Sequence, residues 1–99
     1  MGKFLYIYSG GSPPPDGEAG ERLAQAWMAW FARMGEHLID GGAPLGPRQS
    51  VGGVAGSGAA GYSLVRADNL EEAVSLTEGH PHLLAGGAIE ILETVPVDM

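Results

Sequence analysis

The chain contains no cysteine, and long apolar stretches are also missing. The absence of thiols excludes disulfides, thiolate nucleophiles and cysteine-based metal sites, and it suits a reducing compartment. The first apolar run, residues 4–8, ends in Ser-Gly-Gly and is shorter than the core of a secretory signal peptide. No run approaches the length of about 18 residues that a membrane-spanning helix needs. We therefore expect a cytoplasmic protein that does not associate with membranes.

Basic residues are scarce, with 5 Lys and Arg against 12 Asp and Glu, and the formal charge is −7. This balance would repel a phosphate backbone or an anionic lipid surface, so neither nucleic acid nor membrane is an expected partner. Apolar residues still make up 44% of the 99 residues. That fraction is enough for the core of one α+β domain over residues 1–99, and the chain is too short for two.

Period-two and continuous apolar runs predict four strands. The first is apolar on both faces, with Phe4, Tyr6 and Tyr8 on one side and Leu5 and Ile7 on the other. Each strand is bounded by glycine, proline or aspartate, which are typical of turns. The strands are predicted at residues 4–8, 37–39, 62–66 and 88–95, with a brief pairing at residues 49–51.

Two helices complete the predicted order β-α-β-β-α-β. The first, residues 18–34, has Trp27, Trp30 and Met34 on one stripe, and Gly35 is suited to end it. The second, residues 70–78, follows Asn69, which with Glu72 resembles a capping box, and it should bury Leu70, Ala73, Val74 and Thr77. Right-handed crossovers then place both helices on one face of a four-stranded antiparallel sheet, the ferredoxin-like sandwich.

The other face of that sheet has no helix to cover it. Since residues 4–8 are apolar on both sides, an uncovered aromatic face would remain exposed, and such a surface favours association. We therefore expect a homodimer. Between the second and third strands, residues 52–61 are nearly all Gly, Ala and Ser, and they are predicted to form a flexible hairpin loop.

Three stretches resemble the YCII-related family: residues 3–8, residues 27–47 (WMAWFARMGEHLIDGGAPLGP) and residues 61–97 (GYSLVRADNLEEAVSLTEGHPHLLAGGAIEILETVPV). The resemblance implies a dimeric α/β barrel built from two ferredoxin-like subunits whose sheets lie face to face. Members of the family include suspected enzymes, proteins similar to those of chlorinated-aromatic pathways, and proteins that accompany transcription factors.

Two departures from the family pattern limit what can be transferred. The chain has Ala-Gly-Ser-Gly-Ala-Ala where one branch has an Asp-Gly-Pro-Phe segment. Ala24 and Arg33 occupy the positions nearest to a His–Asp pair that is proposed for another branch. A mechanism based on that pair is therefore not expected here.

A possible ligand site can be placed on the uncovered sheet face. Glu90 lies between two isoleucines and points away from them, and a carboxylate among apolar residues acts as a general base or substrate anchor if it is not simply exposed to water. Tyr62 and Arg66 share one face of the third strand. If these faces coincide, the three side chains would bind a small molecule, with His82 and Asp40 at the rim.

Each remaining candidate has an ordinary structural alternative. His80 and His82 would form a metal pair in extended chain, or they are loop residues after a helix. Asp40 could orient a substrate, or it forms the turn that Asp-Gly favours. Trp27 and Trp30 could line a pocket or fill the core.

Two functions remain open at this point. One is the binding or transformation of a small molecule between the sheet and its dimer mate, with no cofactor expected. The other is a non-catalytic interaction or regulatory module in which the dimer itself is the function.

Overall fold

The predicted ferredoxin-like α+β sandwich is confirmed. The structure, a computed structural model, describes residues 2–11, 16–53 and 55–97. Four strands pair antiparallel in the order β2-β3-β1-β4, and the helices follow β1 and β3. The elements are β1 (Gly2–Gly10), α1 (Gly17–Met34), a 3-10 turn (Gly35–His37), β2 (Leu38–Pro44), β3 (Ala59–Ala67), α2 (Leu70–Ser75), α3 (Pro81–Leu84) and β4 (Gly87–Glu93).

The core lies between the helices and one face of the sheet. Because side chains alternate along a strand, β1 sends Phe4, Tyr6 and Tyr8 into this core, where all three are buried. Trp30 and Met34 of α1 pack against them. Leu5 and Ile7 point to the other face and are only half-buried, so the uncovered face of β1 is aliphatic and the expectation of an uncovered aromatic face is wrong. No helix among the described residues is both long enough and apolar enough to cross a membrane.

Helix α1 holds the end of α2 in place. The indole N–H of Trp30 donates to the Leu76 carbonyl at 3.2 Å, and the Arg33 guanidinium donates to the carbonyls of Leu76 at 3.4 Å and Glu78 at 2.6 Å. Carbonyls at the end of a helix lack intrahelical partners, so these donors satisfy them. Arg33 therefore has a structural role, because it connects α1 to the end of α2.

The cap of α2 is confirmed, and of the four residues predicted to be buried, Ala73 and Thr77 are buried whereas Leu70 and Val74 are not; the predicted length is wrong. The Asn69 side chain accepts from the Glu72 N–H at 2.8 Å, and the Glu72 carboxylate accepts from the Asp68 N–H at 2.8 Å. The helix ends at Ser75, and Leu70 and Val74 are 46% and 48% exposed. The reason is that Ala73 lies over β1, where its carbonyl accepts from the Tyr6 hydroxyl, and this turns the neighbouring positions outward.

Strand β2 is longer than predicted, because Asp40-Gly41-Gly42 bends the strand without ending it. The register with β3 shifts twice along this segment, and Gly42 has φ +78°. The Asp40 carboxylate accepts from the Gly42 N–H at 2.8 Å, so the predicted Asp-Gly turn forms as a bulge inside the strand.

Other boundaries also move. β3 begins at Ala59, so it includes residues 59–61 of the predicted loop. β4 ends at Glu93, two residues before the predicted end at Val95. Residues 49–51 pair with no strand of the described residues. Val54, which was the one sizeable apolar residue of that loop, lies outside the described residues.

Candidate functional site

A cleft of about 570 Å³ opens at the end of the sheet where α1, α3 and β2 meet. It lies on the helix-covered side, whereas sequence reasoning placed a ligand on the opposite face. We call it the aromatic cleft, after the rings in its wall. Its lining includes Tyr8, Trp27, Phe31, Pro44, Pro81 and His82.

The rings of the aromatic cleft contact one another in edge-to-face and tilted arrangements. The Tyr8 and Trp27 centroids are 5.5 Å apart at 77°, and those of Trp27 and Phe31 are 5.8 Å apart at 48°. Such pairs add stability beyond the burial of their area. They also fix the positions of the rings, so the cleft has a preformed apolar wall.

Beneath this wall, a chain of hydrogen bonds joins α3 to the bulge of β2. The His82 backbone N–H donates to Nδ1 of His80 at 3.0 Å, so the proton of the neutral His80 ring lies on Nε2. Nε2 then donates to the Tyr8 hydroxyl at 3.1 Å, and Tyr8 donates to the Ser63 hydroxyl at 2.7 Å. Ser63 donates to the Gly41 carbonyl at 2.8 Å.

Burial disfavours the charged forms of the groups in this hydrogen-bond chain. His80 and Ser63 are fully buried, and Tyr8 is 5% exposed. Burial, with smaller contributions from the charges of His82 and Arg33, lowers the pKa of His80 to about 4. Burial also raises the pKa of Tyr8 to about 12, partly offset by its bond to Ser63. Near neutral pH the hydrogen-bond chain of His80, Tyr8 and Ser63 therefore carries no net charge, and each of its donors has an acceptor.

Pro81 begins helix α3, a short helix that the sequence analysis did not predict. Proline suits the first helical position because its missing N–H needs no partner there. The preceding residue, His80, caps the helix through its Nδ1, and its fully buried ring packs 4.2 Å from Trp30. His80 therefore lies in the connection after α2, as one of the two alternatives expected, but its ring is a buried part of the core.

The ring of His82 is held at the edge of the cleft. Its Nε2 lies 2.8 Å from the Ser9 carbonyl, and the ring packs 5.3 Å from that of Tyr8. Gly87 makes room for it, since a Cβ at this position would lie 2.1 Å from Nε2. His82 is half-buried and lines the cleft, so this sequence candidate does reach a concave site.

The arrangement does not favour a metal pair. Both ring nitrogens of His80 are engaged, and Nε2 of His82 faces a carbonyl. Among the described residues, no group of three or more His, Asp or Glu side chains could hold a metal ion. Asp40 is exposed and bonded within its own turn, away from the cleft lining.

Glu90, Tyr62 and Arg66 do share the helix-free side of the sheet, but they do not converge. Glu90 and Tyr62 each pair with Ile7, one from β4 and one from β3, so a whole strand separates them. Arg66 pairs with Lys3, four residues further along, which is roughly 13 Å at the usual rise of a strand. We call this side the open sheet face; it also carries Leu5, Leu64 and Leu92.

Tyr62 belongs to both the aromatic cleft and the open sheet face. It is part of the cleft lining, although alternation along β3 places its ring on the open sheet face. Gly42 packs against its backbone, since a Cβ on Gly42 would lie 1.7 Å from the Tyr62 carbonyl oxygen.

Sequence reasoning did not identify Tyr8 and Ser63 as site residues. A signal existed: Ser63 is the polar residue at a core-facing position of β3, and a buried hydroxyl needs a partner. The partner, Tyr8, lies 55 positions away, so the sequence alone could not join them.

The fold is similar to that of a solved enzyme. The 5-chloro-2-hydroxyhydroquinone dehydrochlorinase TftG of Burkholderia phenoliruptrix, in complex with 2,5-dihydroxybenzoquinone, aligns with a TM-score of 0.53 over 92% of this chain and 90% of that one. The two sequences are 18% identical, so the likeness concerns the fold. No known protein-family model matches the chain, and no curated protein sequence does.

Proposed function

We propose that this protein binds a small, flat and largely apolar molecule in the aromatic cleft. The observation that carries the proposal is the preformed wall of Tyr8, Trp27 and Phe31 around about 570 Å³ of space. Small-ligand pockets commonly measure about 300–1,000 Å³ and combine apolar walls with few polar groups. Aromatic faces favour flat partners, because stacking then adds to the burial of apolar area.

A matched pair of substitutions tests this use of the cleft. Ala85 lines the cleft, whereas Ala32 lies exposed on α1. Binding of acetophenone, a neutral single-ring probe, would be followed by ligand-observed NMR. We expect binding to wild type and to Ala32→Phe, and its loss in Ala85→Phe, because the new ring fills the space. Equal binding to all three proteins, or no binding to wild type, would contradict the proposal.

The identity that best fits both the residues and the fold is that of a YCII-related protein. Support comes from the resemblance over residues 27–47 and 61–97, and from the ferredoxin-like sheet. Transformation of the bound molecule, as opposed to binding alone, is supported by the fold that the chain shares with TftG. That support is analogy, because one fold hosts many activities.

A second part of the proposal is that two copies pair through the open sheet face. Leu92 is 41% exposed there, and Leu5, Ile7 and Leu64 lie beside it, with none of the helices that the structure describes above them. The face also carries both signs of charge, with Lys3 at one end and Glu90 further along. A two-fold axis could therefore bring opposite charges together while burying the leucines.

Light scattering at micromolar concentration tests the dimer. Wild type should have the mass of two chains, and Leu92→Lys should shift towards one chain, because it places a charge in the apolar contact. Met28→Lys is the control, since Met28 is 70% exposed on α1, away from this face. A monomeric wild type, or an effect of Met28→Lys equal to that of Leu92→Lys, would argue against the interface.

The alternative function is a non-catalytic dimeric interaction module. The exposed leucines of the open sheet face support this alternative, but it assigns no function to the aromatic cleft. The two functions therefore differ in one measurement: a protein that dimerises but binds no single-ring aromatic in the cleft is such a module.

A further inference from the structure

Two residues of the cleft lining each carry a polar side-chain atom that has no hydrogen-bond partner among the described residues. These atoms are Nδ1 of His82 and the indole N–H of Trp27, which make no hydrogen bond within residues 2–11, 16–53 and 55–97. Both residues are half-buried and line the aromatic cleft, so each can contribute its polar atom to the cleft wall.

The hydrogen bond of His82 to Ser9 decides what its free nitrogen can do. The Ser9 carbonyl can only accept, so Nε2 carries the proton at 2.8 Å from that oxygen. In the neutral ring Nδ1 is then an acceptor with a fixed orientation. The ring cannot turn over without losing this bond, and the space that Gly11 and Gly87 leave open is matched to its present position.

The hydroxyl of Tyr8 is not available in the same way. Its oxygen already accepts from His80 Nε2 and its proton goes to Ser63, and because the side chain is only 5% exposed, a ligand hydroxyl has little access to that oxygen. Trp27 offers a donor only. Among the polar side chains of the cleft wall, His82 is thus the acceptor that a ligand hydroxyl can reach.

We propose that the aromatic cleft is selective for a flat aromatic molecule bearing a hydroxyl group, which donates to Nδ1 of His82. The ring of the ligand lies against Trp27 and Phe31, and an oxygen elsewhere on the ligand accepts from the Trp27 N–H. This inference rests on the proposed function and adds to it the chemical class of the ligand and the residue that selects it.

Two probes that differ by one methyl group test the inference. 4-Hydroxyacetophenone can donate to His82, whereas 4-methoxyacetophenone has the same ring and carbonyl but no donor. We expect wild type to bind the hydroxy probe about fivefold to tenfold more tightly, the usual value of one net hydrogen bond. Titration by NMR with 15N-labelled histidine should also move the Nδ1 resonance of His82 with the hydroxy probe only.

The matched variant is His82→Lys. The ammonium group of lysine can still donate to the Ser9 carbonyl, but it has no acceptor atom, so the preference for the hydroxy probe should disappear while the methoxy probe still binds. His37→Lys is the control, because His37 contacts the Arg66 carbonyl at the other end of the sheet. It should keep the preference.

The outcomes separate this inference from the proposed function. If wild type binds both probes equally, or if His82→Lys keeps the preference, the role of His82 is wrong and the cleft remains a binding site. If wild type binds neither probe, the proposed function itself fails, and this inference with it.

Discussion

Acidification should destabilise this protein through His80. Its pKa is about 4 in the folded protein, against 6.5 for the unperturbed group. Between these values the unfolded chain binds a proton that the folded protein does not, so stability is full above the unfolded pKa and falls as the pH drops towards the folded one. From about pH 7.5 to about pH 5, this linkage removes about 2 kcal/mol from the free energy of unfolding.

Urea unfolding at these two pH values measures the loss. His80→Gln is the informative variant, because its amide can still accept from the His82 N–H and donate to Tyr8 but does not titrate. It should lose about 2 kcal/mol less than wild type over the interval. His37→Gln leaves His80 in place and should retain the wild-type loss. An equal loss in wild type and His80→Gln would refute the assignment of a neutral, buried His80.

Two further stability changes follow from the geometry. Gly42→Ala should cost more than about 1 kcal/mol, because the residue has φ +78° and its Cβ would overlap the Tyr62 carbonyl, whereas Gly46→Ala, with open space around it, should be nearly neutral in the same urea assay. Asn69→Ala should lower the free energy of unfolding by about 1 kcal/mol through loss of the cap of α2, and a change under a few tenths would contradict the observed bond to Glu72.

The alternation of the strands could be predicted from the sequence because it depends on neighbouring residues. Phe4, Tyr6 and Tyr8 share one face of β1, and Glu90 points away from Ile89 and Ile91, as period-two patterning indicates. Which face of β1 the helices cover could not be predicted in this way, because both faces are apolar. The cap at Asn69 was equally local. These features need no knowledge of what lies across the sheet.

The candidate site was less predictable because it depends on register and on distant partners. Tyr62 and Glu90 were placed on one face, but only the pairing with Ile7 reveals that a strand separates them. The burial of His80 was not predicted, because its neighbours in sequence do not indicate that its ring contacts Tyr8 and Trp30. The bulge at Gly42 likewise depends on contact with β3.

The alternation of β1 also separates the two proposed activities. Tyr8 points into the helix-covered side, where it forms the wall of the aromatic cleft, and its neighbour Ile7 points to the open sheet face. One strand would therefore serve the proposed ligand and the proposed partner subunit with different residues. A substitution such as Leu92→Lys can weaken pairing while the cleft keeps its rings, because no side chain of the open sheet face takes part in the hydrogen-bond chain of His80, Tyr8 and Ser63. Binding in the cleft should thus persist in a monomeric variant, whereas a ligand held between the sheet and its dimer mate would be lost with the dimer.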